Sequence, residues 1–204
     1  MKRNLIALAV AAALVAPIAA NAAPKVYGQL NISAESYKKD ISGNAAANEE
    51  YTRLQSNASR FGVKGEDELT ATLSAIYGIE WQVNGDGEGA DLAQRNRYVG
   101  IKSQNLGTVK LGKLDTNLKN AQGKIDLFND FAGDIEYTVA GENRINNVIA
   151  YESPKFANTE LNVLTQTQDS STATPGTPNY KNGSSVSVVH NNEELGLYLA
   201  LAVD

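Results

Sequence analysis

The chain has 204 residues, no cysteine, 42% hydrophobic and 20% charged residues, and a formal net charge of −5. The lack of cysteine excludes a disulfide framework, a thiolate metal site and a thiol nucleophile. The acidic balance argues against a nucleic-acid partner, which requires a basic surface.

Lys2 and Arg3 precede an apolar run from Leu5 to Ala20, followed by the small-x-small pattern Ala20-Asn21-Ala22. This is the layout of a secretory signal peptide, here 1–22, cut after Ala22. A membrane-anchor helix fits less well, because it needs about 20 apolar residues and this run contains Pro17. Losing Lys2 and Arg3 takes the charge from −5 to −7 (−5 − 2) over residues 23–204. No later apolar stretch approaches a helical span, so any membrane crossing is made by strands.

Alternation with period 2 predicts nine strands, at 25–38, 51–66, 69–83, 93–103, 107–116, 144–153, 160–168, 184–191 and 195–203. The first sets Val26, Gly28, Leu30, Ile32 and Ala34 against Tyr27, Gln29, Asn31, Ser33 and Glu35. The second alternates only in its last half, with Phe61, Val63 and Gly65 opposite Arg60, Gly62 and Lys64. The third runs from Leu69 to Val83, apolar on one face and wet on the other. At ~3.3 Å per residue it spans roughly 50 Å, against roughly 17–20 Å for strands of soluble domains. A strand of that kind suits a wall between hydrocarbon and a water-filled interior. In the fourth, Arg95 and Arg97 share parity with Val99 and Ile101; a bulge would resolve the conflict, and the direction of Arg97 stays open.

The connections alternate in length. Those at 39–50, 84–92, 117–143 and 169–183 are long and polar, and those at 67–68, 104–106, 154–159 and 192–194 are short. An up-and-down antiparallel meander with all long loops on one side follows, the asymmetry of transmembrane β-barrels. Trp81 near an outer strand end, with Phe61 and Tyr151 near inner ends, fits two interfacial aromatic girdles. Single-chain bacterial barrels close with even strand numbers. Nine strands and an end at Asp204 therefore suggest the N-terminal part of a longer barrel. The alternative is a complete eight-stranded barrel with a plugged interior and a structural or adhesive role.

Ser59-Arg60-Phe61-Gly62-Val63-Lys64-Gly65-Glu66-Asp67 resembles the SRxGxKGxED signature of the general trimeric porins of Gram-negative outer membranes. Val26-Tyr27-Gly28, Arg95 to Ile101, Leu106 to Lys113, and Arg144 to Tyr151 running into Ser153-Pro154 resemble further stretches of that family, in order. The resemblance covers residues 25 to 165 well and the rest by pattern. It implies a sixteen-stranded, all-β antiparallel barrel in the outer membrane, assembled as a homotrimer and in contact with outer-membrane lipid and lipopolysaccharide. Each subunit would pass ions and small hydrophilic solutes. It implies no enzyme activity, no cofactor and no metal.

In that family the third loop folds into the lumen and narrows it. Here the third long loop, 117–143, is the longest, and by position Asp126, Asp130 and Asp134, with Glu136 beside them, match the acidic side of the constriction. The matching inward basic positions are Arg60, Arg95 and Arg144, with Lys64 further along the face of Arg60. Lys113 departs from the arginine that the family often has there; it keeps the charge but lacks the planar fork. Without the family, Arg60 and Arg144 read as ordinary solvated residues, and the three aspartates as one face of a short helix. Cations facing carboxylates across a narrow pore create a transverse field that favours polar over apolar solutes.

Other motifs fail. Asn84, Asp86 and Glu88 alternate like calcium ligands, but the twelfth position is Arg95, not Glu. Gly85, Gly87 and Gly89 precede no helix, which removes a nucleotide loop. His190 is the only histidine, is expected to face solvent, and has no partners for a hydrolase triad or zinc site.

Overall fold

Period-2 segments become strands in the computed structural model, which describes residues 23–40, 42–43, 48–89, 92–123, 125–167 and 183–204. The predicted signal peptide and nearly all of the 169–183 connection lie outside these residues. The strands are β1 (Lys25–Gln29), β2 (Ile32–Lys39), β3 (Glu49–Ser56), β4 (Arg60–Thr70), β5 (Leu73–Gln82), β6 (Ala93–Ser103), β7 (Gly107–Asp115), β8 (Arg144–Glu152), β9 (Thr159–Gln166), β10 (Ser184–Asn192) and β11 (Leu197–Val203). A nine-stranded antiparallel sheet runs in the order β1-β4-β5-β6-β7-β8-β9-β10-β11, with β2-β3 as a two-stranded sheet beside it.

The first two predicted strands are each cut in two, at Leu30-Asn31 and at Asn57–Ser59. A polar knot makes the break. Ser59 is fully buried; its Oγ accepts from Asn31 N at 2.9 Å and from Ser56 Oγ at 3.0 Å, and donates to Asn31 O at 3.1 Å. Asn57 N donates to Asn31 O at 2.8 Å, and Asn57 Nδ2 to Ser33 Oγ at 2.9 Å. These bonds replace the ladder for three residues, so the upper hairpin turns away without orphaning its backbone groups. The loop after β5 joins the knot. Asp86 accepts from Ser56 N at 2.8 Å and Glu88 N at 3.1 Å, and Gly85 N donates to Ser56 Oγ at 3.1 Å.

The β4–β5 turn lies at 71–72 rather than 67–68, because Thr70 stands opposite Leu73. The fifteen-residue alternation from Leu69 therefore contains the end of β4, the turn and a ten-residue β5. Odd-numbered residues face outward along the body of both strands, Val63 opposite Ile79 and Phe61 opposite Trp81, and the register shifts only beside the turn, between Glu68 and Thr70. Phe61 stacks on Trp81 with ring centroids 5.2 Å apart, which moves Phe61 from the predicted inner end to the rim of Trp81. Tyr151 holds the short-turn end, its hydroxyl donating to Leu106 O at 2.9 Å. Between β8 and β9, Ala157 and Asn158 both have positive φ, 46° and 62°, as a tight type I′ hairpin turn requires.

A bulge in the β5–β6 pairing between Ile79 and Trp81 settles the parity conflict of β6. Arg95 turns to the polar face. Arg97 stays on the apolar face opposite Lys113, with its guanidinium 5.6 Å from the Trp81 ring centroid. A second irregularity follows between Gly112 and Leu114; a Cβ at Gly112 would run into the Arg97 carbonyl oxygen, so glycine is needed there. His190 is half-buried rather than solvent-facing, its Nδ1 3.0 Å from Thr159 Oγ1, and it stands opposite Leu199.

One face of the sheet is an exposed apolar belt that includes Val26, Val99, Leu111, Leu199 and Leu201. The other carries Tyr27, Lys64, Glu80, Tyr98 and Lys110. The buried apolar cluster is small, with Val148, Ala150 and Leu164 at its centre and Leu114 and Ile145 against it, and it lies on the polar side. An apolar surface of this extent marks a lipid-facing wall. Among the described residues β1 pairs with β4 and β11 with β10, and the sheet stays open, which does not suit a closed eight-stranded barrel.

The knot makes a titration prediction. The Glu88 and Ser56 N–H groups hold the Asp86 carboxyl below its usual range. Bonds to the charged form lower the folded pKa, so this attachment of the second loop is complete above the unfolded value of about 3.9 and is lost as pH falls through the folded one. An NMR titration of the Asp86 side-chain carbon should give a midpoint below ~3.9. A midpoint at or above that value would show that Asp86 does not accept these bonds.

Candidate pore-lining site

The connection after β7 starts at Thr116, whose Oγ1 accepts from Lys119 N at 3.4 Å and caps a one-turn helix, α1 (Asn117–Ala121). Instead of continuing outward, this turn is fastened to the polar face of distant strands. Asn117 is buried; its N donates to Ser185 Oγ and its Nδ2 to Ser185 O, both at 2.8 Å. The Tyr198 hydroxyl donates to Ala121 O at 2.9 Å. The chain then crosses the polar face back to β4, where Asp130 Oδ2 meets Arg60 Nη1 at 3.1 Å. It returns through a 3-10 turn, Ile135–Tyr137, and Lys119 pairs with Glu142 to tie the two limbs together.

No helix forms over Asp126 to Asp134; the segment is a series of turns. Two of its aspartates satisfy loop backbone, the short-range competition that keeps Asp out of helix interiors. Asp126 accepts from Phe128 N at 3.0 Å and Ile135 N at 3.2 Å. Asp134, buried, accepts from Asp130 N at 2.7 Å and Glu136 N at 2.8 Å. Asp130, at φ 69°, is thereby turned outward from the loop toward Arg60. Asp tolerates this left-handed conformation better than most residues.

Sheet and loop together border a half-open polar chamber of about 900 Å³. Arg60, Arg95 and Arg144 line its wall, and Asp126, Asp130, Asp134 and Glu136 line its loop side. Lys64 lies apart, its Nζ 5.0 Å from the Tyr27 ring centroid. Seven of the eight residues that the sequence assigned to the constriction, all but Lys64, therefore share one space.

Each arginine has a carboxylate, but only Arg60 has one from the loop. Arg95 Nε lies 2.5 Å from Glu80 Oε1, and Glu80 also accepts from the Tyr27 hydroxyl at 3.0 Å. Arg144 Nε lies 2.8 Å from Asp115 Oδ1 and donates to Asn96 Oδ1 at 2.9 Å. Arg53 pairs with Glu35 above them at 3.0 Å. Glu80, Asp115, Glu35 and Arg53 were not singled out in the sequence. Parity would have placed Glu80 on the wet face, but its pairing with Arg95 needs the bulge. Partly exposed pairs of this kind contribute only about 0–1 kcal/mol each, so their effect is to fix where charge sits.

A family model described as Gram-negative porin matches residues 7–204. This chain belongs to that family. The major outer membrane protein P.IB of Neisseria sicca is 29% identical over 83% of this chain and 48% of its own length. P.IB of Neisseria meningitidis serogroup B is 31% identical over 77% of this chain and 47% of its own. Among solved structures, an anion-selective porin from Comamonas acidovorans has a TM-score of 0.65 at 18% identity, covering 84% of this chain and 54% of that one. Salmonella typhi OmpF, solved with daunomycin, has a TM-score of 0.61 at 13% identity, covering 83% and 50%. The fold is that of a transmembrane β-barrel, placed in the outer membrane of a Gram-negative bacterium. The chain spans about half the length of the curated relatives it matches.

The bonds of Asp134 predict how the loop responds to substitution. In Asp134→Asn the amide keeps one acceptor for two donors, and a buried donor left unmade costs about 1–3 kcal/mol. Amide hydrogen exchange at Asp130 and Glu136 should accelerate by roughly tenfold or more, while that at Val148 and Leu164 stays unchanged. Unchanged exchange at Asp130 and Glu136 would show that Asp134 does not brace the loop.

Proposed function

We propose that the full-length protein is a general diffusion porin, giving ions and small hydrophilic solutes passive passage through a water-filled barrel without covalent chemistry. The observation that carries this reading is the 117–143 loop laid across the polar face, with Asp130 on Arg60. A loop held at one end by Ser185 and Tyr198 and reaching Arg60 crosses the space a solute must traverse. Arg60, Arg95 and Arg144 form the basic side of the constriction, Asp130 its facing acid, and Asp126 and Asp134 shape the loop while adding negative charge. Lys64 extends the basic side away from the chamber. Residues 1–22 direct export, and residues 23–204 build the N-terminal part of the barrel. A homotrimer whose apolar belt contacts outer-membrane lipid and lipopolysaccharide completes the proposal.

Planar-bilayer recordings of the full-length protein test it. Stepwise conductance is expected; its absence would favour a plugged barrel. In Arg60→Ser, loss of a long cation should widen the gap, so single-channel conductance and cation preference both rise.

Asp130→Asn keeps side-chain size and removes one charge. A unit charge ~5 Å from an ion's path contributes ~0.8 kcal/mol in a water-like dielectric, about a fourfold change in local ion occupancy before salt screening. The zero-current potential in a salt gradient should therefore shift toward anions, with conductance little changed. The control is Glu193→Gln with Glu194→Gln, in the exposed turn after β10. An equal shift in the control would remove the loop from the constriction.

A further inference from the structure

The placement of Arg60 has a cause in the adjoining residues. Arg60 is the first residue of β4, directly after the buried Ser59. Ala58, two residues before it, has φ 46°, a left-handed conformation that costs an alanine energy and persists only where neighbours hold it. This conformation turns the Ala58 carbonyl toward the chamber, where it accepts from Arg60 Nη1 at 3.2 Å. The same Nη1 reaches Asp130, so the guanidinium is held between its own backbone and the loop.

We infer that Ser59 is a positioning residue that sets pore selectivity through Arg60, by locking the strained Ala58 turn whose carbonyl orients the guanidinium. The inference rests on the diffusion-pore reading above. Three features support it. The Ser59 hydroxyl is fully engaged, accepting two hydrogen bonds and donating one, all within the knot that joins β2, β3 and the 84–89 segment to the sheet. The Ser59 carbonyl accepts from Val83 N at 2.8 Å, fixing the residue against the end of β5 as well. Finally, Ser59 lines no part of the chamber, whereas Ala58 and Arg60, its two neighbours, both do. Its influence on a passing ion must therefore travel through them. Releasing the knot frees the Ala58 turn, lets the guanidinium swing away from Asp130, and blurs the fixed charge on the basic wall.

The test is a double-mutant cycle in planar bilayers on the full-length protein, reading single-channel conductance and zero-current potential in a salt gradient. Ser59→Ala should move the potential toward cations, in the direction of Arg60→Ser but by less, and broaden the distribution of conductance levels. In the Arg60→Ser background, Ser59→Ala should add no further shift, because the group it positions is gone. Ser56→Ala, which removes the hydroxyl that donates to Ser59 at a less buried position, should give the same pattern more weakly and serves if Ser59→Ala does not refold; because Ser56 itself lines the chamber, only the part of its shift that vanishes in the Arg60→Ser background counts for the inference.

A Ser59→Ala potential equal to wild type, or a shift of the same size in both backgrounds, would overturn the inference while leaving the pore reading intact. A wild-type conductance and potential in Arg60→Ser would remove Arg60 from the constriction and the inference with it, whereas absence of stepwise conductance in the wild-type protein would overturn the pore reading itself.

Discussion

A backbone amide in hydrocarbon has no water to bond, so every strand in a membrane must find its partner on the next strand. That constraint fixes most of this structure. It forces an antiparallel meander, since short turns return each strand beside the one before it, and it makes side chains alternate between lipid and lumen. The apolar belt and the polar face are two consequences of one ladder. The small cluster around Val148, Ala150 and Leu164 shows how little a conventional core contributes here.

Where the ladder is interrupted, charged groups gather on the polar face. The β6 bulge turns Arg95 into the chamber and leaves Arg97 against Trp81. The irregularity after Gly112 lets Asp115 stand opposite Arg144. The break at Asn57–Ser59 sets the start of β4 and so the position of Arg60. At each site the lost ladder bonds are replaced or bypassed locally, by side-chain hydroxyls and amides or by an extra residue. The gain is a charged group aimed where a regular strand would not put it.

The loop follows the same economy of bonds. Its aspartates divide their roles by acceptor capacity, Asp126 and Asp134 satisfying backbone N–H groups while Asp130 keeps its carboxylate for Arg60. Three carboxylates that look equivalent in sequence thus differ in kind. The anchor of Asn117 on Ser185 joins residues 68 apart in the chain and is invisible to any local pattern.

The sequence by itself determined the strand segments, their order, the alternation of long and short connections and the two faces, because period-2 alternation is a local consequence of the pleat, but not the breaks at 30–31 and 57–59. It also carried the family motifs, and with them Arg60, Arg95, Arg144 and the three aspartates as one group. Tertiary structure alone decided the rest. The turn at 71–72 was masked because odd residues face lipid on both of its strands. The direction of Arg97 depended on a bulge that is defined only by the pairing of two strands. The roles of Glu80 and Asp115, and the separation of Lys64 from the chamber, follow from register and loop placement. These are distances between residues far apart in sequence, and periodicity within one strand carries no information about them.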